Sequence, residues 1–232
     1  MQSQNKLIEA IDLNMAYGNK KVFTDTSFCI NKGDFVAITG PNGGGKSTML
    51  KLILRLMQPV SGKISYYENN VETDHLKFGY LPQKSNIDSQ FPLTVEEVIA
   101  SGLFSCHKNW MGKYSKEVKD KIKEMLDLLQ IEELRNQSIG TLSGGQLQRT
   151  LMGRALISSP EVIVLDEPLS YVDRRFIEQI YHIIEDLKQR ATIIVVSHEM
   201  TEISVMANRH WIVDHSLHEC SAHHHYLRTE CD

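Results

Sequence analysis

Apolar and polar residues follow two patterns along this chain, and each pattern predicts a different kind of element. Short continuous apolar runs, each closed by a polar or glycine-rich turn, are typical of parallel strands buried on both faces. They cover residues 35–39, 78–81, 162–165, 192–196 and 209–213. Residues 7–15 and 22–30 are alternating or β-rich and are divided by a turn around Gly18, which predicts an antiparallel pair. Residues 63–67 predict one further strand.

Longer segments carry apolar residues at helical spacing. They are residues 47–57, the segment from Thr94 onward, and residues 115–129, 143–156, 173–190 and 199–207. Ser143 stands in an N-cap position, and acids follow Thr94 in the first turn of its helix. We predict an α/β fold with a mainly parallel sheet, an N-terminal antiparallel β subdomain and an inserted α-helical subdomain at about residues 90–150.

Composition narrows the function classes. The 232 residues are 41% hydrophobic and 23% charged, which predicts one globular α/β domain with an insertion. Nucleic-acid binding needs a basic face, and a formal net charge of −4 gives no electrostatic reason to expect it. Four widely spaced cysteines indicate reduced thiols in a cytosolic protein. The sequence has no signal-peptide pattern or bilayer-spanning apolar run, so we expect any membrane association to depend on a partner.

A glycine-rich motif links the strand at 35–39 to the helix at 47–57. It fits the pattern of Gly, four residues and Gly-Lys-Ser/Thr, and comprises Gly40, Pro41, Asn42, Gly43, Gly44, Gly45, Lys46, Ser47 and Thr48. The N–H groups of such a turn, and the positive end of the next helix, bind the α- and β-phosphates of a nucleotide. Lys46 is then placed to reach the β/γ oxygens, and Ser47 to ligate Mg²⁺. A merely flexible turn does not need Lys-Ser at this offset, so the motif predicts a P-loop NTPase core.

Polar side chains follow three of the predicted buried strands. Asp166 and Glu167 follow the run at 162–165, where one acid can hold Mg²⁺ and the other can activate a water. Gln83 could reach a metal or a water at its strand exit, and His198 could hydrogen-bond a γ-phosphate. Each also has a plainer interpretation: a solvated turn before Pro168, a surface glutamine and a loop histidine.

Two further features allow more than one interpretation. Tyr17 either presents its ring face to an adenine or is a half-buried packing residue. The pentapeptide Leu142-Ser143-Gly144-Gly145-Gln146 opens a second helix, either as a second anion site or as a plain capped helix.

Taken together and in this order, these motifs resemble those of the ATP-binding subunit of an ABC transporter. The match covers roughly residues 6–215, and Leu-Ser-Gly-Gly-Gln just upstream of an acid-terminated strand separates the chain from kinases and GTPases. The resemblance implies one ABC ATPase domain at residues 1–215 and a His-rich tail at 216–232.

The resemblance also implies ATP and Mg²⁺ as cofactors and a role for each site residue. Lys46 would bind the β/γ-phosphates, and Ser47 and Asp166 would hold Mg²⁺. Gln83 would join the Mg²⁺ sphere when the site closes. Glu167 would be the catalytic carboxylate, with His198 as the switch residue at the γ-phosphate. Tyr17 occupies the place of the adenine-stacking aromatic in this family.

The pentapeptide is expected to act in trans, on ATP held by the phosphate loop of a second subunit. Ser143, Gly144, Gly145 and Gln146 would contact that ATP, so the functional unit would be a head-to-tail homodimer with two ATP molecules between the chains. The loop after Glu167 departs from the family pattern, because a bulky Tyr171 stands where a small residue is usual. Asp173 is retained, which keeps dimer contact and communication between the sites plausible.

The segment from Phe91 to Leu103 is similar to one found in importers of zinc, manganese, iron and iron chelates. In such subunits this region receives a short helix of the membrane permease, so the expected partner surface runs from Gln83 to Trp110. The resemblance therefore implies a peripheral protein on the cytoplasmic face of the cell membrane, held there by the permease. An extracytoplasmic solute-binding protein is expected in the same system.

Seven of the ten histidines lie from His198 onward. We hypothesise that the tail holds a weak metal-sensing site, with His215 and His218 on one face if the segment is helical. A polar, solvated terminus explains the same residues. For the whole chain, a soluble ABC ATPase of iron–sulfur cluster assembly is the alternative to an importer subunit. Translation and DNA-repair proteins of this family usually carry two cassettes or a long coiled-coil insert, and neither is present in the sequence.

Overall fold

A computed structural model describes residues 5–83, 92–103, 114–197 and 202–220 of the chain. Its strands are β1 (Lys6–Tyr17), β2 (Lys20–Asn31), β3 (Phe35–Thr39), β4 (Ser61–Glu68), β5 (Val71–Thr73), β6 (Phe78–Leu81), β7 (Val162–Asp166), β8 (Thr192–Val196), β9 (Arg209–Val213) and β10 (Leu217–Cys220). Its helices are α1 (Lys46–Ile53), α2 (Val95–Ala100), α3 (Lys116–Leu128), α4 (Gly144–Leu156), α5 (Arg174–Lys188) and α6 (Glu202–Met206). The described residues form two compact units. One contains those up to Lys77 and those from Ile183 onward, and the other contains those from Phe78 to His182.

The first unit holds the antiparallel sheet that the sequence predicts. Its strand order is β2-β1-β4-β5, and β1 pairs with β2 from Lys6 opposite Asn31 to Tyr17 opposite Lys20. The alternating residues of β1 bury one face, with Leu13 and Met15 almost fully enclosed. Strand β5 was not predicted, because its three residues are mostly exposed and show no apolar pattern.

The same unit also contains a mainly parallel group of strands in the order β10-β9-β3-β8. Strand β3 pairs in parallel with both β8 and β9, while β10 returns antiparallel to β9. Residues 35–38 of β3 are completely or almost completely buried, as expected for a strand covered on both faces. Because parallel strands end on the same edge, this arrangement brings the turn after β3 to the C-terminal edge of the group.

Helix α1 is shorter than the predicted segment 47–57. It ends at Ile53, and Arg55 adopts a left-handed φ of 52°. The Arg55 guanidinium donates to the Ile64 carbonyl at 3.1 Å and lies 3.9 Å from the centre of the Tyr66 ring. These contacts with β4 turn the chain away from the helix axis. Leu56 is consequently 62% exposed instead of continuing the apolar face of the helix.

The second unit combines the parallel pair β6 and β7 with helices α2, α3 and α4. Helix α2 begins with a full capping box, in which Thr94 accepts from the Glu97 amide and the Glu97 side chain accepts from the Thr94 amide. Gly153 lets α4 pack closely, since a Cβ there would lie 2.9 Å from Leu129 and 3.2 Å from Ile99. This packing fixes the direction of α4, and its N-terminus carries the pentapeptide.

The segment after Asp214 contains a short strand. Residues 217–220 form β10 and pair with β9. His215 lies in the turn before that strand and His218 lies within it, so the segment is not helical and the condition under which the two were expected to share one face is not met. The alternation of Leu217 and Cys220 with His218 and Glu219 is too short to distinguish a strand from a polar terminus by sequence alone.

Candidate nucleotide site

The turn between β3 and α1 is a cradle made of backbone. Gly40, Gly43 and Gly45 have positive φ angles of 139°, 80° and 110°, which favour glycine. A Cβ on Gly40 would collide with the Val213 carbonyl oxygen, and a Cβ on Gly44 would lie 2.6 Å from the same atom. The glycines are therefore required both by the turn and by the close approach of the end of β9.

Lys46 is the first residue of α1, and only 5% of its surface is exposed. Its Nζ donates to the carbonyl oxygens of Gly40 at 2.7 Å and of Pro41 at 3.0 Å. A buried ammonium held by backbone carbonyls at the rim of a turn can move to phosphate oxygens when an anion enters. The loop thus combines backbone donors and a fixed positive charge, which is the chemistry expected of a triphosphate cradle.

The turn between β9 and β10 supports this loop. The amide of His215 donates to the Gly44 carbonyl at 2.9 Å, and Asp214 closes the turn by donating from its amide to the Ser216 carbonyl at 3.0 Å. Sequence reasoning did not find this contact, because it joins residues far apart in the chain. A histidine-rich segment gives no signal for a purely backbone role.

Tyr17 lies at the end of β1 with 48% of its surface exposed. Its hydroxyl is 3.4 Å from Thr48 Oγ1 and 3.3 Å from Met57 Sδ. The tyrosine is therefore anchored by its hydroxyl near the first turn of α1, with much of its surface open to solvent. This placement is compatible with both interpretations of Tyr17, and its stacking role stays a prediction.

In the second unit, Asp166 ends β7 and is 3% exposed, and Glu167 follows it in a left-handed conformation with φ 55°. Both carboxylate oxygens of Glu167 accept hydrogen bonds, from Gln83 Nε2 to Oε1 at 2.5 Å and from Ser170 Oγ to Oε2 at 3.2 Å. Its carbonyl accepts from Gln148 Nε2 at 3.4 Å. The structure therefore brings together Gln83 and Glu167, two of the three predicted catalytic residues.

The pentapeptide at residues 142–146 forms a capping box at the start of α4. Ser143 Oγ accepts from the Gln146 amide at 3.3 Å, and Gln146 Oε1 accepts from the Ser143 amide at 2.9 Å. The predicted N-cap role of Ser143 is confirmed. Gly144 and Gly145 occupy the first turn, where backbone amides have no partner within the helix. This helix end can bind an anion through those amides.

The loop from Glu167 to Asp173 is attached to α4 at several points. Asp173 Oδ1 accepts from the Phe176 amide at 3.0 Å, and Oδ2 accepts from Arg149 at 2.6 Å. The hydrogen bond from the Phe176 amide, assisted by the Arg149 charge, lowers the pKa of the Asp173 carboxyl. Arg149 also lies 3.8 Å from the centre of the Phe176 ring. Asp173 therefore fixes the start of α5 relative to α4.

A cleft of about 490 Å³ opens beside the start of α4. It is lined by Ser143, Gly144, Gly145 and Gln146 from α4 and its cap, by Arg149, and by Tyr171 and Asp173 from the loop, with residues near Leu134 on the other side. The second predicted anion site is thus an open concave surface within this unit.

The sequence was compared with models of known protein families. The family model described as "ABC transporter" matches residues 23–170. The chain belongs to the ABC transporter family.

Two curated relatives of this ABC cassette are metal-transport proteins. The chain is 36% identical over 234 residues to a zinc uptake system ATP-binding protein, ZurA, of Listeria innocua, covering 96% of this chain and 90% of the relative. It is 34% identical over 202 residues to a high-affinity zinc uptake system ATP-binding protein, ZnuC, of Bacillus subtilis, covering 85% and 86%. The family that the motifs resembled is therefore confirmed.

A solved structure supports the same conclusion. A dimeric ATP-binding cassette in a post-hydrolysis state, bound to ADP and Pi, is 27% identical with a TM-score of 0.79, and the match covers 93% of this chain and 99% of that one. The predicted P-loop fold and the enzyme class, an ATPase that binds ATP, are confirmed for this cassette.

Some predicted features of the cassette lie outside the described residues. They are His198, Phe91, Trp110 and the part of the His-rich tail at residues 221–232. Among the described residues, no three His, Cys, Asp or Glu side chains are grouped so as to hold a metal ion. No helix in the described part of the chain is long and apolar enough to cross a membrane.

Proposed function

We propose that this cassette is the ATP-hydrolysing, energy-coupling subunit of an importer for a metal ion, either zinc, manganese or iron, or for a metal chelate. The observation that carries hydrolysis is the carboxylate of Glu167 at the end of buried strand β7, held at both oxygens. Support for a metal substrate comes from ZurA and ZnuC, zinc-uptake proteins that match nearly the whole cassette. The alternative in iron–sulfur cluster assembly is not favoured by these relatives.

The phosphate loop would bind the triphosphate of ATP. The backbone cradle at residues 40–48 donates N–H groups, and Lys46 leaves the carbonyls of Gly40 and Pro41 for the β/γ oxygens. Tyr17 would stack on the adenine, since its exposed surface lies beside the first turn of α1.

Mg²⁺ would be held by oxygen ligands, Ser47 and Asp166, with Gln83 joining when the site closes. Hydroxyl, carboxylate and amide oxygens are the donors that this hard cation prefers, so the residues present fit it. When bound, the ion neutralises charge on the β- and γ-phosphates.

Glu167 would act as the general base for the attacking water. Gln83 and Ser170 hold its carboxylate in one orientation, with lone pairs remaining to accept a proton from water. Movement of Gln83 from Glu167 to the Mg²⁺ sphere would then release one carboxylate oxygen as the site closes. His198 would contact the γ-phosphate.

The cleft at the start of α4 would receive ATP bound to a second copy of the chain. Ser143, Gly144 and Gly145 present a hydroxyl and helix-end amides to the γ-phosphate, and Gln146 completes the set. The active assembly is then a head-to-tail homodimer in which Asp173 contributes to the contact between copies. The dimeric state of the related ADP-bound cassette supports this proposal.

A membrane permease would bind the surface from Gln83 to Trp110, and an extracytoplasmic solute-binding protein would deliver the metal. Within that surface, the capping box of α2 fixes Thr94 and Glu97, and Arg135 pairs with Glu96 at 3.2 Å. A rigid helix suits a part that transmits force. The cassette would thus work at the cytoplasmic face of the cell membrane through its permease.

The partner can be tested by trapping. The Glu167→Gln variant is purified with ATP from gently solubilised membranes of the source cells, and the bound proteins are identified by mass spectrometry. The proposal predicts that a polytopic membrane protein co-purifies with this variant. Capture of soluble iron–sulfur assembly proteins, with no membrane protein, would contradict the importer.

A further inference from the structure

Tyr171 is held in an unfavourable backbone conformation. Its φ is 65°, in the left-handed region where a bulky side chain is disfavoured and glycine is preferred. It is the second such residue in this short loop, because Glu167 has φ 55°. A side chain that did nothing at this position would be replaceable by glycine at little or no cost in folding stability.

The backbone of Tyr171 is also packed directly against the start of α4. A Cβ on Gly145 would lie 2.8 Å from the Tyr171 carbonyl oxygen, and a Cβ on Gly144 would lie 3.3 Å from the Tyr171 Cβ. The two glycines thus make room for the loop, and Asp173 is tied to Arg149 two residues later. The position of Tyr171 relative to the anion-binding end of α4 is therefore fixed on both sides.

The side chain of Tyr171 is nevertheless 68% exposed and lines the cleft. Aromatic residues are common anchors of protein interfaces because they bury a large rigid area at a low cost in side-chain entropy. An exposed ring on a strained, well-supported backbone at the edge of a binding cleft is typical of such an anchor. The backbone strain would then be offset by the free energy gained when a partner buries the ring.

We propose that Tyr171 is an interface anchor for a second copy of this chain. When two copies close on ATP, the ring is buried between them at the rim of the cleft, and its burial lengthens the lifetime of the closed dimer. The proposal rests on the head-to-tail dimer proposed above. The occupant is a second copy because the cleft is continuous with residues 143–146, which that dimer places against the partner's nucleotide.

The test compares variants in a Glu167→Gln background, where ATP is bound and not hydrolysed. The dimer dissociation constant with ATP and Mg²⁺ is measured by sedimentation velocity for the parent, Tyr171→Gly and Tyr171→Phe. Burial of most of an aromatic ring predicts a roughly tenfold or larger increase for Tyr171→Gly. Tyr171→Phe keeps the ring and is expected to stay within about twofold of the parent.

A thermal melt without nucleotide separates this role from a structural one. Tyr171→Gly relieves the left-handed strain, so its Tm is expected to fall by no more than about 2 °C or to rise. The matched control is Asn70→Gly, at an exposed position with the same φ of 65°, and it should leave dimerisation unchanged.

Each outcome decides the proposal. A Tyr171→Gly dimer as tight as the parent, or tighter, would overturn the anchor while leaving the proposed dimer intact. A large drop in Tm would instead make Tyr171 a packing residue. The parent must also dimerise with ATP at a protein concentration about 100 times the micromolar dissociation constants that are common for transient complexes. If it stays monomeric there, the dimer itself is contradicted, and the anchor with it.

Discussion

Gln83 Nε2 donates a hydrogen bond of 2.5 Å to Oε1 of Glu167, across 84 residues of sequence. With Ser170 on the other oxygen, the carboxylate is held in one orientation. Gln83 also begins the proposed permease surface, so this hydrogen bond would connect that surface to the proposed catalytic carboxylate.

Glu167→Gln is expected to separate ATP binding from hydrolysis. The amide can still accept from Gln83 but cannot take a proton from water, so turnover should fall by about 10²- to 10⁴-fold. Phosphate release and equilibrium ATP binding measure the two quantities. Glu185→Gln, on an exposed position of α5, is the control and should keep wild-type turnover. Wild-type turnover in Glu167→Gln would remove Glu167 as the base.

Substitution of two N-cap serines separates an effect on folding stability from an effect on ATP hydrolysis. Ser143 caps α4 and Ser115 caps α3, each accepting an amide hydrogen bond at 3.3 Å. Alanine at either position should lower the free energy of unfolding by about 1 kcal/mol. Only Ser143→Ala should also reduce ATPase activity by tenfold or more, on the order of a lost oxyanion donor. Equal activities in the two variants would leave Ser143 with a capping role alone.

Gly44→Ala tests the contact between the phosphate loop and the turn after β9. The new Cβ would lie 2.6 Å from the Val213 carbonyl oxygen, so one segment must move, at a cost of about 1–3 kcal/mol in unfolding free energy. Gly43→Ala is the comparison, because a Cβ there meets nothing within 4 Å and only the backbone is strained. Hydrogen exchange of the His215 amide should accelerate in Gly44→Ala and much less in Gly43→Ala. Equal protection in both would show that the turn does not support the loop.

Tyr66 should make stability depend on pH in the alkaline range. Its hydroxyl donates to the Ile53 carbonyl at 2.6 Å, and burial raises its pKa to about 12. Because the folded pKa lies above the unfolded value, this contribution is complete below about pH 10 and is lost as pH rises toward 12.

Tyr66→Phe isolates that contribution. Urea denaturation at pH 8 should show the variant less stable by about 1 kcal/mol, the value of a typical buried hydrogen bond. At pH 11 the difference between the two proteins should be smaller. A difference that does not change with pH would mean that the Tyr66 hydroxyl titrates alike in the folded and unfolded chains.

Features set by short-range patterns could be predicted from the sequence. The strand at 35–39, the glycine loop and the helix that begins at Lys46 are encoded within about twenty residues, and so is the Ser143 capping box. The length of α1 was not predictable, because Arg55 ends it through contacts with Ile64 and Tyr66.

Contacts between residues far apart in the chain could not be predicted either, because local sequence patterns do not record them. The hydrogen bond from His215 to Gly44 uses only backbone atoms, so no side-chain pattern records it. Tyr171 stood out as a departure from the family motif, but its packing against Gly144 and Gly145 depends on how the loop folds back on α4. Strand β10 could not be predicted because its four residues show no clear apolar alternation; they form a strand because the turn after β9 places them beside that strand.

The most direct measurement is uptake of radioactive metal by source cells whose chromosomal copy carries Glu167→Gln, compared with cells carrying Glu185→Gln. Zinc, manganese and iron are each supplied under limitation for that metal. The account predicts that accumulation of one of them falls to background in the Glu167→Gln cells and stays normal in the control. Normal uptake of all three metals in the Glu167→Gln cells would contradict a metal importer.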